Sequence, residues 1–190
     1  MDNDPWLDRW LPLIIEKCGD QVLLEIGCGF GRDTAVLTQA GLRVYGFDLR
    51  DVAKAQSVAP TAQLEQCDMR EFFPISPNIY PVILASLTLH YFDWEETVRL
   101  VKDIHHALEP DGLFLMRANS TEDVLYGATG YPEISHHFYQ VEERTKRFFD
   151  AEDLRRLITE DEWKILSQEK VTIGRYDRPK IAWELVLRKC

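Results

Sequence analysis

Three alternate glycines, at positions 27, 29 and 31, constrain the fold of this chain more than any other feature of its sequence. They come directly after the mostly apolar run VLLEI of residues 22–26, and a helical pattern over residues 32–39 follows them. Glycine adopts positive φ and lets the main chain approach a bound molecule closely, while the free N–H groups of the next helix face the same spot. The pattern therefore predicts a strand, a tight turn and a helix that together form a cradle for a nucleotide-like cofactor.

Length and composition limit the class of protein. A chain of 190 residues, 45% of them hydrophobic, is sufficient for one domain with a sizeable core, so we expect a single domain over 1–190. We expect no membrane segment, because no window holds the roughly 18 consecutive apolar residues that a span needs. The acidic N-terminal residues are unlike a secretory signal, which predicts a cytoplasmic location.

The four cysteines, at positions 18, 28, 67 and 190, form no CxxC pair and no Cys/His cluster with metal-ligand spacing. They predict free thiols, with neither a disulfide framework nor a metal site. The formal net charge of -10 disfavours nucleic acid as a partner, because a phosphate backbone would be repelled. Two local basic clusters, within residues 144–147 and 175–180, remain open as sites for a small anion or as solvated surface.

Hydrophobic periodicity indicates an α/β fold in which strands alternate with helices. We expect strands at residues 21–26, 42–47, 62–66, 80–86 and 113–118, and an antiparallel hairpin from 162–173 and 180–188. An N-terminal helix is predicted over residues 1–19, with Asp4 as its N-cap and Pro5 as its first residue. Asp93 is predicted to begin a helix with a capping box, and Asp150 to cap a later helix. The predicted architecture is a Rossmann-like, doubly wound, seven-stranded sheet, mostly parallel with a C-terminal antiparallel hairpin.

Residues 119–150 interrupt the alternation of strands and helices. This insertion contains two glycines and the pair His136-His137, and its aromatic residues include Tyr126, Tyr131, Phe138, Tyr139 and Phe148. A long segment of this composition after a buried strand is typical of a functional loop, so we expect a lid or a wall of a substrate pocket.

The spacing of the glycines separates two classes of cofactor. A dinucleotide fingerprint requires GxGxxG, but Arg32 occupies the position of its third glycine, which argues against a nicotinamide oxidoreductase. The sequence from Glu25 to Gly31 instead resembles the ExGxGxG element of class I S-adenosylmethionine-dependent methyltransferases. The acids Asp48 and Asp68, at the ends of the second and third predicted strands, and the terminal hairpin also follow that family. In detail the chain resembles small stand-alone bacterial-type enzymes, distantly like tellurite-resistance methyltransferases.

The resemblance implies S-adenosylmethionine as the cofactor. The glycine turn would contact its methionine part, Asp48 its ribose hydroxyls and Asp68 its adenine amino group, and the end of the fourth strand would lie near the sulfonium. Capping of the following helices is the alternative role for Asp48 and Asp68. The cofactor-binding residues implied in this way are Glu25, Gly27, Cys28, Gly29, Asp48, Leu49, Asp68, Met69, Ser86 and Leu87.

The resemblance places the acceptor beside the segment that follows the fourth strand. His90 and Tyr91 are the candidate catalytic residues, since histidine has a pKa suited to proton transfer. The alternative for His90 is packing beneath the next helix. Candidate substrate-binding residues are Arg117, Asn119, Tyr126, His137 and Tyr139.

The sequence thus predicts transfer of a methyl group from S-adenosylmethionine to a small-molecule acceptor by direct displacement. Methylation of nucleic-acid bases is disfavoured, because residues 85–88 read ASLT where such enzymes carry an acid or Asn, two prolines and an aromatic residue. A protein that binds S-adenosylmethionine or S-adenosylhomocysteine without turnover, with residues 119–150 as a partner surface, is the alternative.

Overall fold

A computed structural model describes residues 4–71 and 76–190. Within them a seven-stranded sheet has the order β3-β2-β1-β4-β5-β10-β9, and a separate three-stranded sheet has the order β6-β7-β8. The strands are β1 Val22–Ile26, β2 Arg43–Asp48, β3 Gln63–Gln66, β4 Tyr80–Ser86, β5 Leu108–Asn119, β6 Glu133–Ser135, β7 Phe138–Val141, β8 Arg144–Arg147, β9 Trp163–Ile173 and β10 Lys180–Lys189. The helices are α1 Leu11–Cys18, α2 Arg32–Gln39, α3 Ala53–Val58, α4 Trp94–Ala107 and α5 Ala151–Leu157.

The large sheet confirms the predicted architecture. Strands β1 to β5 pair in parallel, whereas β10 is antiparallel to both β5 and β9. Buried apolar side chains form one cluster on each face of the sheet, which explains why residues 82–85 of β4 and 113–116 of β5 are continuously apolar. No helix among the described residues is long and apolar enough to cross a membrane.

Strand order determines the location of the candidate site. The chain leaves β1 toward β2 on one side, and β4 returns on the other side of β1. Ligands of open parallel sheets bind at such a switch point, beyond the carboxyl ends of the strands. The glycine turn after β1 and the segment after β4 lie next to each other there.

Side-chain caps begin two helices at the residues that the sequence indicates. Asp93 and Glu96 form a capping box at the start of α4, and Asp150 and Asp153 form one at the start of α5. Both boxes satisfy backbone N–H groups that have no partner inside the helix.

Two expectations for local structure are wrong. The first helix begins at Leu11 and not at Pro5, because the Asp4 carboxylate does not cap it but binds the guanidinium groups of Arg117 and Arg175, at 2.6 and 2.9 Å. Strand β5 begins at Leu108, five residues before the predicted start at 113, because Leu108 already pairs with Tyr80 of β4.

The insertion folds into the small sheet. Strands β6, β7 and β8 form an antiparallel meander, and Ala128, Val141 and Phe148 form a small core of their own. The meander also contacts the segment after β4 through β8.

Candidate active site

The three glycines of the turn all have positive φ, at 73° for Gly27, 56° for Gly29 and 81° for Gly31. A Cβ on Gly27 would overlap the side chain of Thr88, and one on Gly31 would lie 2.8 Å from the Cα of Ala55. A Cβ on Gly29 would meet nothing within 4 Å. Gly27 and Gly31 are therefore required by the packing of the protein, whereas Gly29 faces open space in which a ligand would contact bare backbone.

Asp48 holds the glycine turn. Its Oδ2 accepts a hydrogen bond from the Gly29 N–H at 2.8 Å, and its Oδ1 accepts one from the Arg50 N–H at 2.9 Å. Each carboxylate oxygen keeps a further lone pair, so the group remains able to accept from a diol. Next to it, Leu49 is 61% exposed, and Phe30 of the turn is 59% exposed. These side chains offer apolar surface at the mouth of the cradle.

Glu25 is buried beneath the turn, with 3% of its surface exposed. Its Oε2 accepts a hydrogen bond of 2.6 Å from the hydroxyl of Thr34 in α2, which ties β1 to the first turn of that helix. Burial raises the pKa of Glu25 to about 8, and the nearby charges of Asp33 and Asp48 also raise it. The side chain is therefore mostly protonated at neutral pH and acts here by fixing the loop.

Cys28 lies two residues after the end of β1, and Asp68 lies two residues after the end of β3. Burial raises the pKa of the Cys28 thiol to about 12, which makes it a poor nucleophile. Asp68 accepts hydrogen bonds from the guanidinium of Arg70, which hold the pKa of its carboxyl below the usual value. Met69, between Asp68 and Arg70, is 5% exposed.

The segment after β4 lies against the glycine turn. The Thr88 hydroxyl donates to the carbonyl of Ile26 at 3.0 Å, and the Leu87 N–H donates to the carbonyl of Arg117 in β5 at 2.9 Å. Leu87 has a φ of 55°, an uncommon conformation for a branched side chain. The tertiary contacts thus fix residues 86–88 between the cofactor cradle and the end of β5.

His90 lies in a single 3-10 turn, Leu89–Tyr91, and is 3% exposed. Burial lowers its pKa well below the usual 6.5, and the charges of Lys180 and Lys146 lower it further. The ring is therefore neutral at physiological pH, and its Nδ1 has no hydrogen-bond partner among the described residues. The Tyr91 ring, 4.2 Å from it between centroids, is 38% exposed.

Three buried polar atoms lack a hydrogen-bond partner at the carboxyl ends of β4 and β5, within the part of the chain that the structure describes. They are Ser86 Oγ, His90 Nδ1 and Asn119 Oδ1. Leaving such an atom unpaired costs about 1–3 kcal/mol. A bound ligand or ordered water with hydrogen-bonding groups would give these atoms the partners that they lack.

A cavity of about 570 Å³ opens beside Tyr91 and the turn between β7 and β8. Lys146 lines it, with its pKa lowered by burial and its Nζ 3.3 Å from the carbonyl of Tyr126. The Lys180 Nζ lies 4.7 Å from the centroid of the Tyr126 ring and pairs with Asp123 at 2.7 Å. The other lining residues are Val141, Glu142, Glu143 and Arg144.

Arg117 is committed to contacts inside the protein. Its guanidinium, 2% exposed, donates to Asp4 and Glu184 and lies 4.5 Å from the centroid of the Trp6 ring. The Trp6 indole N–H in turn donates to Asp33 of α2 at 3.2 Å. Arg117 therefore anchors the N-terminal segment to β5. Its N–H groups are used by Asp4 and Glu184 and do not face a substrate pocket.

The predicted substrate-binding residues fall into two groups. The Tyr126 carbonyl accepts from Lys146, which lines the cavity, and Tyr139 pairs with Lys146 across β7 and β8. The Asn119 side chain donates to the carbonyl of Arg147 at 3.4 Å. His137 belongs to a different cluster, because its Nδ1 hydrogen-bonds to Asp153 of α5 at 2.7 Å.

Sequence reasoning missed the buried pair of Asp123 and Lys180. These residues are 57 positions apart, and their proximity depends on how the insertion folds back on β10. The only sequence signal was the basic cluster at 175–180, which also fits a solvated surface.

Comparison with known proteins agrees with this geometry. Residues 24–116 match the family described as "Methyltransferase domain". Among curated proteins, the chain is 26% identical over 98 residues to an uncharacterized methyltransferase of Synechocystis sp., covering 50% of this chain and 46% of that protein. It is 29% identical over 96 residues to the mitochondrial arginine-hydroxylase NDUFAF5 of Rattus norvegicus, covering 48% of this chain and 27% of that one. The matches thus span less than half the length of these two relatives.

The solved structures include a Burkholderia thailandensis 1,6-didemethyltoxoflavin-N1-methyltransferase with bound 1,6-didemethyltoxoflavin and S-adenosylhomocysteine. It superimposes with a TM-score of 0.71 at 21% identity, over 98% of this chain and 81% of that one. At this identity the likeness concerns the fold.

Proposed function

We propose that this chain, whose residues 24–116 match the methyltransferase domain family, transfers a methyl group from S-adenosylmethionine to a small-molecule acceptor by direct displacement. The observation that carries the proposal is the set of three unpaired buried polar atoms, of Ser86, His90 and Asn119, next to the cradle of Gly29 and Asp48. The carboxyl ends of the parallel strands thus carry a cofactor cradle and, beside it, buried polar atoms that lack hydrogen-bond partners in the described part of the chain.

The residues present fit the cofactor. Asp48 would accept the ribose hydroxyls, Asp68 the adenine amino group, and the bare backbone at Gly29 would contact the methionine part. Leu49 and Met69 would flank the adenine, and the remaining contacts would come from Glu25, Gly27 and Cys28 beneath the turn and from Ser86 and Leu87 after β4. When bound, S-adenosylmethionine supplies a methyl group activated by its sulfonium.

The chain's own contribution is alignment of the acceptor and control of a proton. Neutral His90 has a nitrogen that accepts a hydrogen bond, and then the proton, from the attacking group of the acceptor. Lys146 and Lys180 lower the pKa of His90, and the same positive field lowers the pKa of a neighbouring acceptor. A hydroxyl or thiol bound there is favoured in its nucleophilic, deprotonated form.

Residues 119–150 form the wall of the acceptor pocket in this proposal. Tyr91, Tyr126 and Tyr139 supply flat apolar surface near Lys146, and Asn119 supplies hydrogen bonds from the end of β5. A cavity of about 570 Å³ is within the range of small-molecule sites. The net charge of -10 supports a small molecule over nucleic acid, and the four free cysteines fit a cytoplasmic location.

The test has two stages. Calorimetry should show binding of S-adenosylmethionine and S-adenosylhomocysteine but not of NAD, and absence of binding by both sulfur compounds would overturn the proposal. The protein is then incubated with S-adenosylmethionine carrying a deuterated methyl group and a low-molecular-mass cell extract. Mass spectrometry should find a labelled small molecule that is absent with His90→Asn. Cofactor binding without any labelled product would favour the non-catalytic binding protein.

A further inference from the structure

A second polar cluster lies at the tip of the β6–β7 hairpin, away from the cofactor cradle. His136 and His137 connect these two strands, and Asp153 of α5 lies opposite them. One ligand atom from each of the three side chains lies within 4.8 Å of the other two. None of these atoms is needed for the proposed methyl transfer.

Asp153 is nearly inaccessible, at 1% exposure. Its Oδ2 accepts hydrogen bonds from His137 Nδ1 at 2.7 Å and from the Asp150 N–H at 3.3 Å. Its Oδ1 is buried and has no hydrogen-bond partner among the described residues. This oxygen is 3.8 Å from His136 Nε2, too far for a hydrogen bond. A buried carboxylate oxygen is therefore left without a partner next to an imidazole nitrogen.

The two imidazoles are stacked, with centroids 3.8 Å apart and planes at 28°, so the rings are adjacent, and one ring must turn before both can bind one ion in their own planes. Zinc bonds to nitrogen and oxygen at about 2.0–2.2 Å, which puts two ligands of one tetrahedral ion about 3.3 Å apart. His137 Nδ1 is 2.7 Å from Asp153 Oδ2 and His136 Nε2 is 3.8 Å from Asp153 Oδ1, so the two separations, to different oxygens of one carboxylate, lie on either side of this value. Movement of each nitrogen by about half an ångström, together with a turn of one ring, would bring both separations to it.

We propose that His136, His137 and Asp153 bind one divalent transition-metal ion of the zinc and cobalt class, with water in the remaining position. Two imidazole nitrogens and a carboxylate oxygen are ligands that these ions accept. The ion gives the buried Asp153 Oδ1 the partner that it lacks. The cysteines, from which the sequence predicted no metal site, take no part in it.

The charges around the cluster are mixed. Glu133 accepts the backbone N–H of His137 at 2.9 Å, and the Asp150 carboxylate caps α5 by accepting from the Asp153 N–H at 2.8 Å. The opposing charge is Arg147, whose guanidinium donates to the carbonyl of His136 at 3.0 Å. The carboxylates of Glu133, Asp150 and Asp153 outnumber this guanidinium, so the net charge of these four groups favours a cation. The positive charge of Arg147 limits the affinity for that cation.

A bound ion would connect the tip of the small sheet to the start of α5. Since only the folded protein presents the three ligands together, the ion stabilises the fold by mass action. The site does not depend on the proposed methyl transfer.

The test uses the untagged full-length chain and zinc chloride in calorimetry, with cobalt(II) absorption as the second readout. We expect one ion per chain, a higher melting temperature with zinc, and cobalt bands without thiolate charge transfer. His136→Ala should lower zinc affinity at least tenfold. Its side chain is 66% exposed and holds no hydrogen bond, so the variant should fold as judged by circular dichroism.

The matched control is His106→Ala, which removes another exposed histidine, on α4. It should bind zinc as the wild type does. Three outcomes would overturn the proposal: no zinc binding, equal affinity in His136→Ala and wild type, or a thiolate band with cobalt, which would place the ion on cysteine.

Discussion

Replacement of Glu25 by glutamine should change how stability depends on pH. Glu25 is buried, and its pKa in the folded protein is raised from 4.5 to about 8. Its ionised form is therefore disfavoured in the folded state. Below pH 4.5 the group is protonated in both states and costs nothing. As the pH rises from 4.5 to 8, the unfolded chain releases the proton while the folded chain retains it, so stability is lost.

The magnitude follows from the pKa difference of about 3.5 between the two states, at about 1.36 kcal/mol for each unit. The free energy of unfolding should fall by about 5 kcal/mol through this group alone across that range, and by about 2 kcal/mol between pH 6 and 8. Glutamine has the shape of the protonated acid, can still accept from Thr34 and does not titrate. The stability of Glu25→Gln relative to wild type should therefore increase with pH by the same amounts.

Urea unfolding followed by tryptophan fluorescence at pH values from 5 to 9 measures this difference. Glu16→Gln on α1 is the matched control, because Glu16 is exposed. Its stability should follow that of the wild type at every pH. A difference between Glu25→Gln and wild type that stays constant with pH would refute the reasoning, since it would mean that Glu25 titrates alike in both states.

Three further predictions concern the active site. Asp48→Ala should weaken binding of S-adenosylmethionine by about 1–3 kcal/mol in calorimetry, through loss of charge-assisted hydrogen bonds. The control Asp20→Ala, at an exposed position, should bind as the wild type does. Equal affinity of Asp48→Ala and wild type would leave Asp48 a purely structural role. Gly29→Ala should bind the cofactor weakly and lower the melting temperature modestly, through its positive φ alone. Gly27→Ala should lower the melting temperature more, because its Cβ would also overlap the Thr88 side chain; a larger loss of stability in Gly29→Ala would contradict this assignment. His90→Asn should lower turnover at least about 100-fold with unchanged cofactor affinity. The wild-type turnover rate should fall in acid only well below pH 6.5, since burial lowers the pKa of His90; a fall centred at pH 6.5 would point to another group.

Much of the fold could be predicted from local patterns. The bounds of α2 and β4 match the predicted residues 32–39 and 80–86, because each is a single periodic segment with a clear boundary signal. The capping box at Asp93 was visible for the same reason. Asp4 was also predicted to cap a helix, and that prediction was wrong because Arg117 of β5 binds its carboxylate instead.

The candidate site was predictable to different extents. The cofactor cradle is formed by residues within a few positions of the ends of β1 and β2, so the glycine spacing and Asp48 located it. The acceptor side combines β4, β5 and the insertion. The roles of Arg117 and His137 depended on partners far away in sequence, Asp4 and Asp153, that no local pattern reveals.

The sequence by itself determined the strands of the large sheet and the glycine turn, because each depends on the conformational preferences of neighbouring residues. The class of cofactor came from the resemblance of that turn to the ExGxGxG element, and the three strands of the small sheet were not predicted. Only the tertiary structure decided which polar groups are buried without partners. Polar atoms of Ser86, His90, Asn119 and Asp153 are buried without partners among the described residues because distant segments pack over them, which no local pattern in the sequence reveals. Burial and pairing depend on the whole fold, and they govern the pKa of His90 and the ligands that these sites accept.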